Sequence, residues 1–155
     1  MQQQQRTTGD SLPAAGYDQD FALWLEGQAA LLRARRFDLL DLDNLAEEID
    51  AVAQSLHREL RNRIRVVLVH LLKYEFQPER LSDSWLETLG EQREQIFELL
   101  QQNPSLSRRV MEYADRAYPR AAAKAARETK LPASTFPASN PYSRDEILSD
   151  RTPPP

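Results

Sequence analysis

The chain has no cysteine. That excludes a disulfide framework, a thiolate zinc site, an iron–sulfur cluster and a cysteine nucleophile. Glycine is nearly as scarce: there are four, and two of them fall in the first 16 residues. No phosphate-cradling loop of the Walker or dinucleotide type can be built from so few, and there is no Gly-x-Ser-x-Gly elbow to present a serine nucleophile. Long apolar runs are missing as well. The longest, Val66 to Leu72, contains His70 and is closed by Arg65 and Lys73, well short of the ~20 apolar residues of a spanning helix. The N-terminal stretch MQQQQRTTGDSLPAAG has no charged segment followed by an apolar one, so it does not read as a signal peptide, and a cytoplasmic protein is expected. Basic charge is not in excess: 20 Lys and Arg stand against 24 Asp and Glu, a net charge of −4. A generally basic nucleic-acid-binding protein is disfavoured, although a local basic face is not.

What remains is a globular composition, 41% hydrophobic and 28% charged over 155 residues, enough for one domain with an adequate core. Residues 1–16 read as a disordered leader, 17–150 as a single all-α domain and 151–155 as a disordered tail. No segment sustains a two-residue alternation of apolar and polar side chains; the long segments repeat their apolar residues every three or four positions. The expected architecture is a helical bundle of four main helices built around one long central helix, plus a short C-terminal helix. The first helix is expected to start at Asp18, to bury Phe21, Leu25 and Leu32 with Trp24 and Ala29, and to end near Arg36. The second, capped by Asp41 or Asp43, carries the seam Leu45, Ile49, Val52, Leu56, Leu60, Ile64, Val67, Leu71 and Tyr74, a spine of roughly 50 Å. Pro78 stops it. A third helix from Ser82 or Ser84 places Trp85, Leu86, Leu89, Ile96, Phe97 and Leu100 inward. A fourth follows Pro104 and carries Val110, Tyr113 and a run of alanines, with Pro119 removing one backbone bond. The stretch LPASTFPASN lays Phe136 over the bundle, and Ser143 caps the last helix with Ile147 and Leu148 inward.

Projected at roughly 100° per residue, Glu48, Glu59, Arg63, His70 and Gln77 fall along one flank of the spine. One reading is a polar groove with His70 as proton carrier or ligand. The plainer one is a set of flanking ion pairs around a hydrogen-bonded histidine, in which case His70→Ala should destabilise the fold by about 1 to 3 kcal/mol by orphaning a partner. The acids Asp41, Asp43, Glu47, Glu48 and Asp50 suit a first helical turn. They do not form a di-metal site, since neither His57 nor His70 follows a glutamate at the Glu-x-x-His spacing, and neither a metal nor a cofactor is expected. Arg58, Arg61 and Arg65 share the face opposite the seam, where they are candidates to face phosphates or a plain solvated surface.

The strings YDQDFALWLEGQAALLRARRF, LDLDNLAEEID, HLLKYEFQPE, SWLETLGEQREQI, NPSLSRRV, ARETKLPASTFP and NPYSRDEIL, taken in order, resemble the bacterial family catalogued as domain of unknown function twenty-nine, over about Tyr17 to Asp150. The resemblance implies a helical fold and no established activity. It marks His70, Lys73, Gln77, Trp85, Gln92 and Arg93 as motif positions around one helix–helix corner, with Glu48 on the same stripe as His70. At that corner Arg93 is expected to stack on Trp85 or to pair with Glu48 or Glu79. Three functions follow as expectations. The first is a non-enzymatic cytoplasmic interaction module that binds a protein partner or itself. The second is a nucleic-acid-associated regulator using the arginine face, and the third a ligand or enzyme pocket around His70.

Overall fold

The computed structural model describes residues 16–149. The expected leader, apart from Gly16, and the expected tail lie outside them. Among the described residues every regular element is helical: α1 (Phe21–Arg33), α2 (Leu42–Phe76), α3 (Asp83–Gln102), α4 (Val110–Thr129) and α5 (Arg144–Leu148), with short 3-10 turns at Phe37–Leu39, Pro78–Arg80, Pro104–Arg109 and Ala133–Thr135. The fold class is all-α. α2, with 35 residues, is a rod of about 52 Å. No described helix is long and apolar enough to cross a membrane. By its contacts the chain divides into two compact units, the first running to Val52 and the second beginning at Ala53.

In the first unit α1 begins two residues later than expected. Asp20, in extended backbone, accepts from the Leu23 amide and is the N-cap. The helix ends at Arg33 because Arg35 turns into the left-handed region at φ 56°, letting Arg36 N–H reach back to Leu31 C=O at 2.9 Å, a Schellman closure made without glycine. The inward face also differs from expectation. Trp24 and Gln28 are buried while Phe21, Leu25 and Leu32 are exposed. The reason is polar pairing: Trp24 Nε1 donates to Asp41 Oδ2 at 3.2 Å and the Asp41 amide donates to Gln28 Oε1 at 2.8 Å. Those bonds turn the Trp24–Gln28 edge inward and leave the aliphatic stripe outside. Asp41 also accepts from the Asn44 amide and side chain at the start of α2, which holds its carboxyl below the usual range.

In the second unit the spine meets its cover. Leu60, Ile64, Val67, Leu68, Leu71 and Leu72 of α2 are buried with Leu89, Ile96 and Leu99 of α3, and with Val110, Tyr113, Tyr118 and the alanines 114, 117, 121 and 125 of α4. The alanines keep α4 thin enough for close approach. Phe136 packs edge-on to Phe76 at 5.2 Å between ring centroids, and Ile147 of α5 is fully buried. Phe97, expected inside, is exposed; it sits about 100° round α3 from Ile96, beyond the covered arc. Ile49 and Val52, seam positions of the spine, are exposed as well.

Candidate functional site

A polar cluster forms where the C-terminal end of α2 meets α3 and α4. Lys73 is charged yet only 7% exposed. Its Nζ lies 4.0 Å above the centroid of the Trp85 ring and 2.8 Å from Glu128 Oε2. Lys124 Nζ approaches the other Glu128 oxygen at 3.7 Å. Burial pushes the Glu128 carboxyl upward, but the hydrogen bond and charge of Lys73, helped by Lys124, prevail and hold it below the usual range. One turn before Lys73, His70 has its Nδ1 buried without a hydrogen-bond partner. Burial, then the Lys73 ammonium, depresses its pKa; Lys124 acts the same way and the Glu128 carboxylate opposes them. The imidazole is therefore held neutral. Gln77 Nε2 donates to Thr129 C=O at 3.3 Å, and Thr129 Oγ1 donates back to Ala125 C=O, so one side chain satisfies a carbonyl at the end of α4.

Arg93 is placed differently from expectation. Its Nε donates to Ile147 C=O at 3.1 Å and its Nη2 to Glu146 C=O, so the guanidinium closes α5 while the cation over Trp85 is Lys73. Expectation failed here because backbone carbonyls that accept at a distance in sequence leave no trace in residue identity. The remaining stripe residues also separate into pairs of their own. Arg63 binds Glu59 at 2.6 Å and reaches Gln95 of α3. Glu48 belongs to the first unit, where Tyr17 Oη donates to it at 2.5 Å; that bond, then burial and the carboxylates of Glu48 and Glu47, push the phenol up to about 12. Lys73 and Trp85 are thus brought into contact, His70 sits beside them, and Glu48, the Glu59–Arg63 pair, Gln77 and Arg93 each serve a different partner. Among the described residues no group of three or more His, Asp or Glu is placed to hold a metal ion.

A second concentration of charge follows α2 and α4. One recess of about 570 Å³ is lined by His57, Arg58 and Arg61 of α2 with Glu112, Tyr113 and Arg116 of α4. There the Arg61 guanidinium lies 5.8 Å over the Tyr113 ring, and Tyr113 Oη and His57 Nδ1 are 2.7 Å apart. Arg109 and Arg116 both hold Glu112, whose carboxyl is lowered first by its bond to Arg109. A further recess, about 480 Å³, is lined by Arg65, Val66 and Val69 of α2 and by Arg120, Ala123, Lys124 and Arg127 of α4. Sequence reasoning found Arg58, Arg61 and Arg65 but missed the row on α4. The signal was available, since Arg116, Arg120, Lys124 and Arg127 follow helical spacing.

Fold and geometry define an all-α protein organised on one long helix, with a clamped lysine at one helix corner and a basic face along two helices. The chain belongs to the family Domain of unknown function DUF29, whose model matches residues 16–152. No curated protein matches it, and no solved structure does.

Proposed function

We propose that the chain is a non-enzymatic helical interaction module of the bacterial cytoplasm that pairs with a second copy of itself through its N-terminal unit. The observation that carries this is the uncovered apolar surface of that unit. Leu42, Ile49 and Val52 of α2 are 64%, 67% and 63% exposed, and Phe21, Leu25 and Leu32 form a stripe on α1 that is also exposed. Phe37 and Leu39, in the turn between the helices, add to it. Eight such side chains, each showing on the order of 100 Å², approach the ~800 Å² that each partner contributes to a stable interface. Patches of this size mark contact sites more often than idle surface.

The choice of a second copy over another partner rests on charge. The end of α1 carries Arg33 and Arg35, and the first turns of α2 carry Asp43, Glu47 and Asp50 beside the apolar stripe. In a two-fold pairing the basic end of one α1 meets the acidic turns of the other copy's α2, and the contact repeats reciprocally. The His70 alternative has less support, because the charged groups beside it are occupied with one another.

Sedimentation equilibrium from about 5 to about 200 µM tests the reading. A mass of two chains is expected, with Ile49→Glu and Val52→Glu returning the mass of one while circular dichroism is unchanged. A single-chain mass at the highest concentration would overturn it.

A further inference from the structure

The three arginines on α2 face a second basic row that α4 and the turn before it supply. Arg65 shares its recess with Arg120, Lys124 and Arg127, and Arg58 and Arg61 share theirs with Arg109 and Arg116. We infer that these two rows form a binding surface for the phosphate backbone of double-stranded nucleic acid. The inference goes beyond the pairing proposed above and uses different residues in the other unit.

The first argument is that five of the eight cations in the rows are unspent. Among the described residues Arg58, Arg61, Arg65, Arg120 and Arg127 form no ion pair, and the Arg61 guanidinium lies over the Tyr113 ring. The acids beside the rows are already engaged: Glu59, which shares a recess with Arg58 and Arg65, by Arg63, Glu112 by Arg109 and Arg116, and Glu128 by Lys73 and Lys124. Like charges gathered along a groove repel one another unless an anion joins them, and a low-dielectric wall concentrates their field. The second argument is residue type. Seven of the eight cations in the rows are arginine, whose planar fork matches phosphate oxygens in pairs.

The third argument concerns reach. From Arg116 to Arg127 the α4 row rises about 16 Å, roughly the axial span of five phosphates on one strand. The fourth is what the surface lacks around those cations. The apolar residues lining the Arg65 recess are Val66, Val69 and Ala123, and of the two rings in the other recess Tyr113 is buried and His57 is held edge-on against it. A base has no platform to stack on, so single-strand recognition is not served, whereas backbone contact needs none. The net charge of −4 is no obstacle, because Glu59, Glu112 and Glu128 on the two helices are each paired with a cation, and α3 carries Asp83, Glu87, Glu91, Glu94 and Glu98 against Arg93.

Fluorescence anisotropy with labelled DNA and RNA duplexes of about 30 base pairs, titrated with the full chain over a salt series, tests the assignment. Binding to either duplex should weaken with a log–log salt slope of about −4 to −5, as five phosphate contacts require. In Arg65→Gln/Arg120→Gln/Arg127→Gln the slope should fall to about −2 and affinity at low salt should drop at least ~30-fold. Arg120→Gln alone should lose about 3- to 10-fold, and Arg80→Gln/Arg144→Gln, which removes two charges elsewhere, should bind as the parent does. Since the substituted guanidiniums have no ion-pair partner, the triple variant should melt no lower than the parent. No binding at low salt, or unaltered binding by the triple variant, would overturn the inference. So would ATP binding as tightly as the duplexes, which would assign the recess to a small phosphate ester.

Discussion

Lys73 shows how one side chain can tie three helices. Its stem is buried in α2, its ammonium rests on the Trp85 ring of α3, and Glu128 of α4 neutralises it. Lys73→Ala removes a cation–π contact and a charge-assisted bond together, and should destabilise the chain by roughly 1–3 kcal/mol in urea unfolding. It should also alter the emission of Trp85, a readout that a mere packing defect far from the ring would not give. Arg93, 4% exposed, makes a comparable closure onto backbone. Arg93→Ala leaves carbonyls of α5 unsatisfied and should cost about 2–4 kcal/mol, and Arg93→Lys should not restore the loss because an ammonium lacks the fork. His70 has the opposite character. Its buried Nδ1 has no partner, so the reason for expecting His70→Ala to orphan one does not apply. With a folded pKa below the ordinary 6.5, the unfolded chain takes up the proton first. Stability is therefore complete above about pH 6.5 and declines as pH falls through the folded value. His70→Leu should flatten that decline in melting temperature between about pH 7 and 5.

Among the elements, α5 is the one that local chemistry alone would not sustain, since it has five residues and isolated helices of that length do not persist. Ser143 and Glu146 make a reciprocal capping box at its start, Arg93 closes its far end, and Ile147 anchors it in the core. Ser143→Ala should cost about 1 kcal/mol, seen as a lower midpoint in thermal melts. The cap at Ser143 was legible in the sequence; the clamp from Arg93 was not, because it depends on a carbonyl 54 positions away. The same contrast runs through α1 and α2. Period three-to-four spacing located both helices, and Pro78 gave the end of the spine. Spacing reports that a face is apolar, however, and not whether a neighbour covers it. Leu60 and Ile64 continue the stripe of Ile49 and Val52, yet the first pair is buried and the second is exposed. In α1 the burial of Trp24 and Gln28 was decided by Asp41, whose bonds no periodicity could disclose.

At the scale of the whole molecule, charge is sorted by element even though it nearly cancels in sum. The first turns of α2 and most of α3 are acidic, while the outer faces of α2 and α4 in the second unit are basic. The stripe of carboxylates, arginine and histidine that looked like one site on a helical wheel resolves into separate local bonds, since a wheel superposes residues that are many ångströms apart along the axis. The basic row on α4 was equally legible in the sequence, since Arg116, Arg120, Lys124 and Arg127 repeat at steps of three and four. The change in cover along α2 has a consequence for motion. Its backbone bonds follow one pattern from end to end, but from Leu42 to Ser55 side chains are largely exposed, and from Leu60 to Tyr74 they are largely buried. Amide hydrogens of the first stretch should exchange with deuterated solvent through cheap local openings, and those of the second only through near-global unfolding. A single helix would then carry a gradient of protection spanning orders of magnitude, and dilution should steepen it if a second copy is what shields the bare end.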